Sequence, residues 1–241
     1  MRVAVISDIH ANLHALEAVV EAIERDAPDA IWCLGDLVGY GPMPNECCTW
    51  AAERTQICLA GNHDLGTLDE LDLGDFSPDA AEAAHWTRDV LTADARTFLE
   101  SLDSSARSEG VAMFHASPRD PVWEYVLSWE QARDAIRDSG SDVTLVGHSH
   151  VPLAIVDGRG AIGGHAAEGT EADLIGGRWL LNPGSVGQPR DGDPRAAWLL
   201  LDLEAKHASF RRAAYDVERT QAEIRERGLP DALAERLSYG V

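Results

Sequence analysis

The chain is short of positive charge, of cysteine and of long apolar runs, and each shortage excludes something. Lys206 is the only lysine, and 20 Lys+Arg stand against 41 Asp+Glu, a formal net charge of −21 over 241 residues. That balance argues against docking on a nucleic-acid backbone or an anionic membrane through bulk electrostatics, so a bound anion needs local positive charge. The four cysteines, Cys33, Cys47, Cys48 and Cys58, form no CxxC pair and are too few for a disulfide framework, which predicts reduced thiols with Cys33 and Cys58 in strand cores. Nowhere do ~18 apolar residues run together, and no N-terminal stretch joins a basic start, an apolar run and a small-residue cleavage site. Neither a signal peptide nor a membrane span is indicated, and a cytoplasmic setting is expected. What is present is 45% hydrophobic residues. That suffices for a sizeable core, and one domain over residues 1–241 is the expectation.

The apolar pattern alternates between strand-like and helix-like stretches. "RVAVISDI" is a short apolar run ending in polar residues. The following "LHALEAVVEAIERDAP" places Leu13, Leu16, Val20 and Ile23 on one helical face until Pro28 stops it. The unit recurs: "AIWCLGD" reads as a strand, "PNECCTWAAER" as a short helix and "TQICLAGNHD" as another strand. Ser77 before Pro78 caps an Ala-rich stretch predicted helical to about Leu102. "VAMFHASP" and "VTLVGHSH" are later strands, separated by a helix opening at Ser128, where SWEQ has capping-box spacing. Beyond His150, "VPLAIV", "RWLLN", "AAWLLLDL" and "HASFRRAAY" follow without intervening helices and predict an antiparallel second sheet, before a helical tail from Asp216. The whole reads as a two-sheet α/β sandwich flanked by helices, with residues 157–177 a Gly-rich hairpin or mobile loop.

The polar residues fall at the carboxyl ends of the predicted strands: Asp8 and His10, Asp36, Asn62 with His63 and Asp64, His115, and His148 with His150. Ligand crevices form at that edge of an α/β sheet, so these groups can converge although they are far apart in sequence. Carboxylate, amide and imidazole donors together suit Mn, Fe, Zn or a similar dication better than calcium alone. If the backbone stays extended, the i and i+2 spacings put Asp8 with His10, and His148 with His150, on a shared face. A lone histidine at a strand end is usually an ordinary hydrogen-bonded residue; five matching strand ends reverse those odds.

In this order, "SDIH", "LGDL", "AGNHD", "FHASP" and "VGHSH" resemble the signature elements of the calcineurin-like metallophosphoesterase superfamily. The short chain, "NPGSVGQPRDGDPRAAW" and "YDVE" are similar to its small prokaryotic phosphodiesterase branch, over nearly the whole sequence. The resemblance implies a four-layered α/β/β/α sandwich of two mixed sheets and two divalent metal ions, Mn foremost, with Fe, Zn, Ni or Mg as alternatives. By position, Asp8, His10 and His150 would hold one metal, and Asn62, His115 and His148 the other, with Asp36 bridging. His63 falls where the family places its acid, with Asp64 beside it as orienting partner. "SDIHAN" and "FHASP" carry alanine where many relatives have glycine, which removes no ligand but narrows the approach beside two of the histidines.

The implied chemistry is that of two dications ~3.5–4 Å apart that clamp phosphoryl oxygens and acidify a water for in-line attack. A histidine with an ordinary pKa of ~6.5 suits protonation of the leaving oxygen near neutral pH if a carboxylate such as Asp64 holds the ring. The expected activity is therefore phosphodiester hydrolysis on nucleotide-like or small organic esters. Phosphomonoester, phosphoprotein or dinucleoside polyphosphate hydrolysis is the alternative, and a binding module on the same fold, as in the retromer subunit that resembles this branch, is the non-enzyme reading. Arg190, and less so Arg195, are candidates for a substrate-phosphate clamp, against ion pairing with Asp191 or Asp193. Asn12 would contact phosphate or cap the helix after it, the cap being favoured. Tyr40 is a candidate wall of the cleft, and Trp123, Tyr125 and Trp129 either a rim for an aromatic group or, preferably, core. His14 is expected in solvent. The partner is a small phosphate ester, and the oligomeric state is open.

Overall fold

Short apolar runs that end in glycine and acid become strands, and the amphipathic runs between them become helices. The computed structural model describes residues 1–157 and 162–241. In chain order these hold β1 (Arg2–Ile6), α1 (Leu13–Asp26), β2 (Ala30–Cys33), α2 (Pro44–Arg54), β3 (Ile57–Cys58), α3 (Asn62–Thr67), α4 (Pro78–Val90) and α5 (Ala93–Glu100). There follow β4 (Ser105–Ser108), β5 (Val111–Phe114), α6 (Trp129–Ser139), β6 (Val143–Leu145), β7 (Leu153–Asp157), β8 (Ile162–His165), β9 (Glu171–Asp173) and β10 (Arg178–Asn182). β11 (Ala196–Asp202), β12 (His207–Ala213), α7 (Val217–Glu226) and α8 (Asp231–Glu235) complete the described elements, with short 3-10 turns at Leu73–Asp75 and Arg236–Ser238.

Helix limits follow local chemistry. Asn12 accepts from the Ala15 N–H and caps α1, which ends at Ala27 in a left-handed conformation. The Ser128 capping box opens α6 as its sequence predicts. The Ala-rich stretch after Ser77 is two helices rather than one. Leu91 and Thr92 are extended, and the Thr92 side chain accepts from Ala95 N–H to start α5 afresh. That threonine is as good a cap signal as Ser77, and the continuous alanine pattern hides it.

The strands form two six-stranded sheets, ordered β3-β2-β1-β11-β12-β9 and β4-β5-β6-β10-β7-β8. Both are mixed. β1, β2 and β3 run parallel, as do β5, β6 and β10, while β11 joins β1 antiparallel and β7 joins β10 antiparallel. The late strands therefore do not make a sheet of their own, as their uninterrupted succession suggests. They divide, β9, β11 and β12 completing the first sheet and β7, β8 and β10 the second. Of the Gly-rich segment, β7 and β8 form a hairpin whose tip, residues 158–161, lies outside the described residues, and β9 then pairs with β12 in the other sheet.

The sheets face each other across Val3, Val5, Trp32, Leu34, Met113, Leu145, Leu181, Leu199, Leu201 and Phe210, which form one buried cluster. The outer face of the first sheet is covered by α1, whose Leu16, Val19 and Ile23 pack with Ala4, Ile6, Ile31, Trp198 and Leu200. On the second, Ala132, Ala135 and Ile136 of α6 meet Val146, Ile155 and Leu180. The result is a four-layered α/β/β/α sandwich. The carboxyl ends of β1, β2, β3, β5 and β6 come together at one end of it, so that Gly147 N–H reaches the His115 carbonyl and His148 N–H reaches Asp8 from the opposite sheet.

Leu199 is fully buried opposite Val5 in the inter-sheet cluster. Leu199→Ala is expected to lower unfolding free energy in urea by ~2–5 kcal/mol through the cavity it leaves. Metal content per folded molecule should stay constant, because Leu199 is not among the predicted ligands; a stability change below ~1 kcal/mol would mean that the inter-sheet core is not close-packed there.

Candidate metal and phosphoester site

Three of the ligand-bearing loops, after β1, β2 and β6, leave their strands through a backbone turn, not by continued extension. Asp8, His10, Asp36, His148 and His150 all have positive φ, between 49° and 61°. The D-x-H and H-x-H pairs therefore do not share a face as i and i+2 of a strand. Their side chains converge because each residue sits in the left-handed region, a conformation unfavourable for a side chain and typical of functional sites. Hydrogen bonds hold these turns: Asp8 N–H to Gly35 O at 2.9 Å, His10 N–H to Asp36 O at 2.9 Å and Gly187 N–H to Asp8 O at 2.9 Å.

Two groups of buried donors result, Asp8, His10, Asp36 and His150, and Asp36, His115 and His148, with the offered atoms of each group within 4.8 Å of one another. Asp36 belongs to both. Its Oδ1 accepts from His63 N–H at 2.9 Å, and its Oδ2 is buried without a hydrogen-bond partner, 3.6 Å from His10 Nε2 and 3.5 Å from His115 Nε2. Asn62 Oδ1 lies 3.3 Å from His115 Nε2, so all seven predicted ligands meet in one place.

The tautomers show what the place is suited to hold. Nδ1 of His10, His115 and His150 faces the carbonyls of Val38, Leu34 and Gln188 at 3.1, 2.9 and 2.6 Å. A carbonyl only accepts, so each Nδ1 carries the proton and each Nε2 presents a lone pair. Yet His10 Nε2 and His150 Nε2 are 3.0 Å apart, with Asp8 Oδ1 4.0 and 3.5 Å from them. Lone pairs converge on lone pairs with no donor between, and His148 Nε2 is buried and unpartnered beside them. Such a set fits cations, and its mixture of imidazole, carboxylate and amide fits borderline dications. The titration behaviour agrees. Burial pushes the Asp8 carboxyl up to about 7, and burial and then the Asp64 charge push Asp36 well above the usual carboxylate range, while burial holds His10 and His150 well below the usual imidazole range.

His63 and Asp64 open α3 instead of ending a strand. Asp64 does not hold the His63 ring. Its carboxylate accepts from Gly61 N–H at 2.9 Å and Val38 N–H at 3.1 Å, tying two ligand loops together, and His63 Nδ1 is buried without a partner. Packing orients the ring instead. It lies against Tyr40 at 4.3 Å, His10 at 4.9 Å and Phe76 at 5.3 Å between centroids, and a side chain on Gly39 would strike it at 2.5 Å. Burial first, then the Arg190 charge, takes its pKa down to about 3, not the near-neutral value an ordinary histidine would have.

Arg190 has none of the ion pairs open to it in the sequence. Asp191 is taken by the buried Arg212 and by His165, and Asp193 by Arg195, which also meets Glu168. Arg195 is thereby removed from the clamp. Arg190 donates to Gln188 Oε1 at 2.9 Å and to the Tyr40 hydroxyl at 3.3 Å, and lies over the Tyr40 ring. Arg236 of the helical tail is half-buried, and burial and then the Arg190 charge lower its pKa. Asn12 is fully engaged, accepting from Ala15 and Thr220 and donating to Gly187 O and the Tyr215 hydroxyl, so it serves as a cap and not as a phosphate contact. His14 is buried against Glu223 rather than in solvent. Tyr125 and Trp123 are at the mouth and not in the core, Tyr125 stacked on His148 at 3.9 Å.

A mixed α/β/β/α sandwich whose strand ends gather such a donor set defines a metallophosphoesterase. The chain belongs to the calcineurin-like phosphoesterase superfamily, whose domain model matches residues 1–206. It is similar to a metallophosphoesterase of Sphaerobacter thermophilus of known crystal structure, 40% identical with a TM-score of 0.90 over 100% of this chain and 99% of that one. It is 36% identical to the uncharacterized protein MJ0912 of Methanocaldococcus jannaschii over 99% of this chain and 98% of the relative. A shorter match, 38% identical over 66 residues, is to a symmetrical bis(5'-nucleosyl)-tetraphosphatase of Methylobacillus flagellatus, covering 26% of this chain and 24% of that one. Among the described residues no helix is long and apolar enough to cross a membrane.

A carboxyl raised to about 7 from its ordinary 3.8 favours the metal-free fold below 3.8 and loses that contribution as pH rises through about 7. The imidazoles run the other way, since groups with depressed values favour the fold above their ordinary 6.5 and lose that as pH falls. Metal binding needs the ionised carboxylate and must displace the Asp8 proton below neutrality. The rise in Tm on adding Mn2+ is therefore expected to be small at pH 5.5 and largest above pH 7.5, in melts run against EDTA; a rise independent of pH would contradict Asp8 as a ligand.

Proposed function

We propose that the protein is a dinuclear metal-dependent phosphoesterase that hydrolyses phosphodiesters, nucleotide-like or small organic. The observation that carries this reading is the partnerless oxygen of Asp36 between the bare Nε2 atoms of His10 and His115. Asp8, His10 and His150 would hold one dication, Asn62, His115 and His148 the other, and Asp36 both, with Mn the expected metal because four imidazoles suit a borderline ion. When bound, the pair supplies Lewis-acid charge to phosphoryl oxygens and acidifies water.

The chain's own groups do the rest. Arg190, free of carboxylates, binds a non-bridging phosphate oxygen in an otherwise acidic molecule. His63 gives a proton to the leaving oxygen. Its low pKa ties that step to binding, because burial and Arg190 strip the ring of its proton until an anionic ester, seated between the two, restores negative charge. Asp64 and the Gly61 backbone keep α3, and so His63 and Asn62, in register with Asp36. The short likeness to symmetrical bis(5'-nucleosyl)-tetraphosphatases favours dinucleoside polyphosphate hydrolysis as the second reading.

Metal removal should abolish activity, and Mn2+ should restore it at least as well as Mg2+; full activity after exhaustive chelation would end the dinuclear reading. His63→Ala should keep both metals, lose ~10²–10⁴-fold on alkyl or nucleoside diesters and distinctly less on nitrophenyl esters, whose leaving group needs no proton. Lost metal with uniform inactivation would make His63 a ligand, and unchanged rates on both ester classes a bystander. Arg190→Met should raise KM roughly tenfold or more, as expected for a charge-assisted phosphate contact worth ~1.5–3 kcal/mol. An unchanged KM would remove it from the substrate.

A further inference from the structure

The loop between β5 and α6 carries two aromatic rings to the edge of the metal site and is built to keep them there. Ala116 N–H bonds to Pro121 O at 3.0 Å and Ser117 N–H to Asp120 O at 3.2 Å. Asp120 Oδ1 accepts from Val122 N–H at 3.1 Å and Trp123 N–H at 3.0 Å, and Glu124 meets both Arg119 and Ser117. Val126 then anchors the loop in the cluster under α6. The residue before it points the other way: Tyr125 is 41% exposed.

That ring lies parallel to His148, 26° between planes, so one face covers a metal-ligating imidazole and the other is open. The Trp123 indole, half-buried, meets Phe76 edge-on at 5.0 Å, and Phe76 meets His63 in the same manner. A row of rings thus runs from the proton-donating histidine to the rim. Burying aromatic faces in a core would be the ordinary arrangement; a hydrogen-bonded loop that leaves one open beside a charged site has a different use.

We infer that Tyr125 and Trp123 form a stacking platform for a nucleobase, so that the substrates of this site are phosphate esters of nucleosides. The inference rests on the phosphoesterase reading of the adjoining donors. Spacing selects the nucleoside over a simple aryl group. A ring stacked on the outer face of Tyr125 lies a further ~3.5–4 Å beyond a ring already 3.9 Å from His148. An aryl phosphate has its ring bonded directly to the ester oxygen and is too short for that span, whereas a nucleotide has a sugar between phosphorus and base. The platform is tolerant of base identity, because every base has a π-face, and nothing among Tyr125, Trp123 and Phe76 reads a base edge.

The test is calorimetric titration of the Mn2+-loaded protein with AMP, ribose 5-phosphate, phenyl phosphate and adenosine. AMP is expected to bind at least roughly tenfold tighter than ribose 5-phosphate, as one stacked base implies, and phenyl phosphate to gain no such advantage. Tyr125→Ala and Trp123→Ala should each lose most of the AMP advantage while ribose 5-phosphate affinity and metal content hold, and Tyr125→Phe should retain it. Equal affinity for AMP and ribose 5-phosphate in the parent protein, or variants that weaken both alike, would overturn the platform. An advantage for phenyl phosphate equal to that for AMP would overturn the nucleoside assignment. Adenosine separates the two readings: its binding, lost in the variants, with no response to any phosphate would keep the platform and end the phosphoesterase reading, and failure of adenosine and AMP alike would end the platform.

Discussion

Everything at the working end of this protein depends on one electrostatic constraint: buried lone pairs gathered with no protein donor to meet them. Three imidazoles have their protons committed to backbone carbonyls, so their Nε2 atoms face inward bare, and the Asp36 oxygen between them has no donor. Such an arrangement is costly by itself, since unpaired buried polar groups lose their hydration without return. It becomes favourable once positive charge enters. The fold holds the constraint from outside, through main-chain bonds that cross between sheets and fix each ligand loop to its neighbour.

The same economy of charge explains how an acidic chain can receive an anion. Carboxylates around the 190s loop are assigned to Arg212 and Arg195, while Arg190, left without a carboxylate, is turned toward Tyr40. Arg190 thus sets a positive charge beside the donor cluster of a molecule that is strongly negative as a whole. Local assignment of partners, not net charge, sets the sign of the field there.

The ligands were legible in the sequence because chemistry dictates residue type, and strand-then-polar patterning dictates that they lie at one edge. Their geometry was not. The i and i+2 spacing suggested extended backbone at Asp8 and His10, and the structure has both in the left-handed region, since turning the chain brings them to a common centre that continued pleating would miss. Asp64 next to His63 suggested a partner, but neighbours in a helix point apart, and Asp64 meets backbone N–H groups instead. The two sheets were legible as a count of strands, while their membership was hidden. Nothing local in β10 or β11 says that one joins β6 and the other β1, for that choice is made by long-range packing. The rim aromatics defaulted to core by composition, and only the hydrogen-bonded loop around Asp120 shows why they are held outside.

The central place of β1 has a consequence for synthesis. Its neighbour on one side, β2, follows within some thirty residues, but on the other side it pairs with β11, Val5 opposite Leu199, and the Asp8 turn is closed by Gly187 and Ser185. A chain emerging from the ribosome at ~5–20 residues per second must therefore carry an apolar strand with one unpaired edge for roughly ten seconds or more. Contacts so distant in sequence slow folding and leave such edges open to wrong partners. The donor loops of β1 therefore close only after residues 185–199 have left the tunnel.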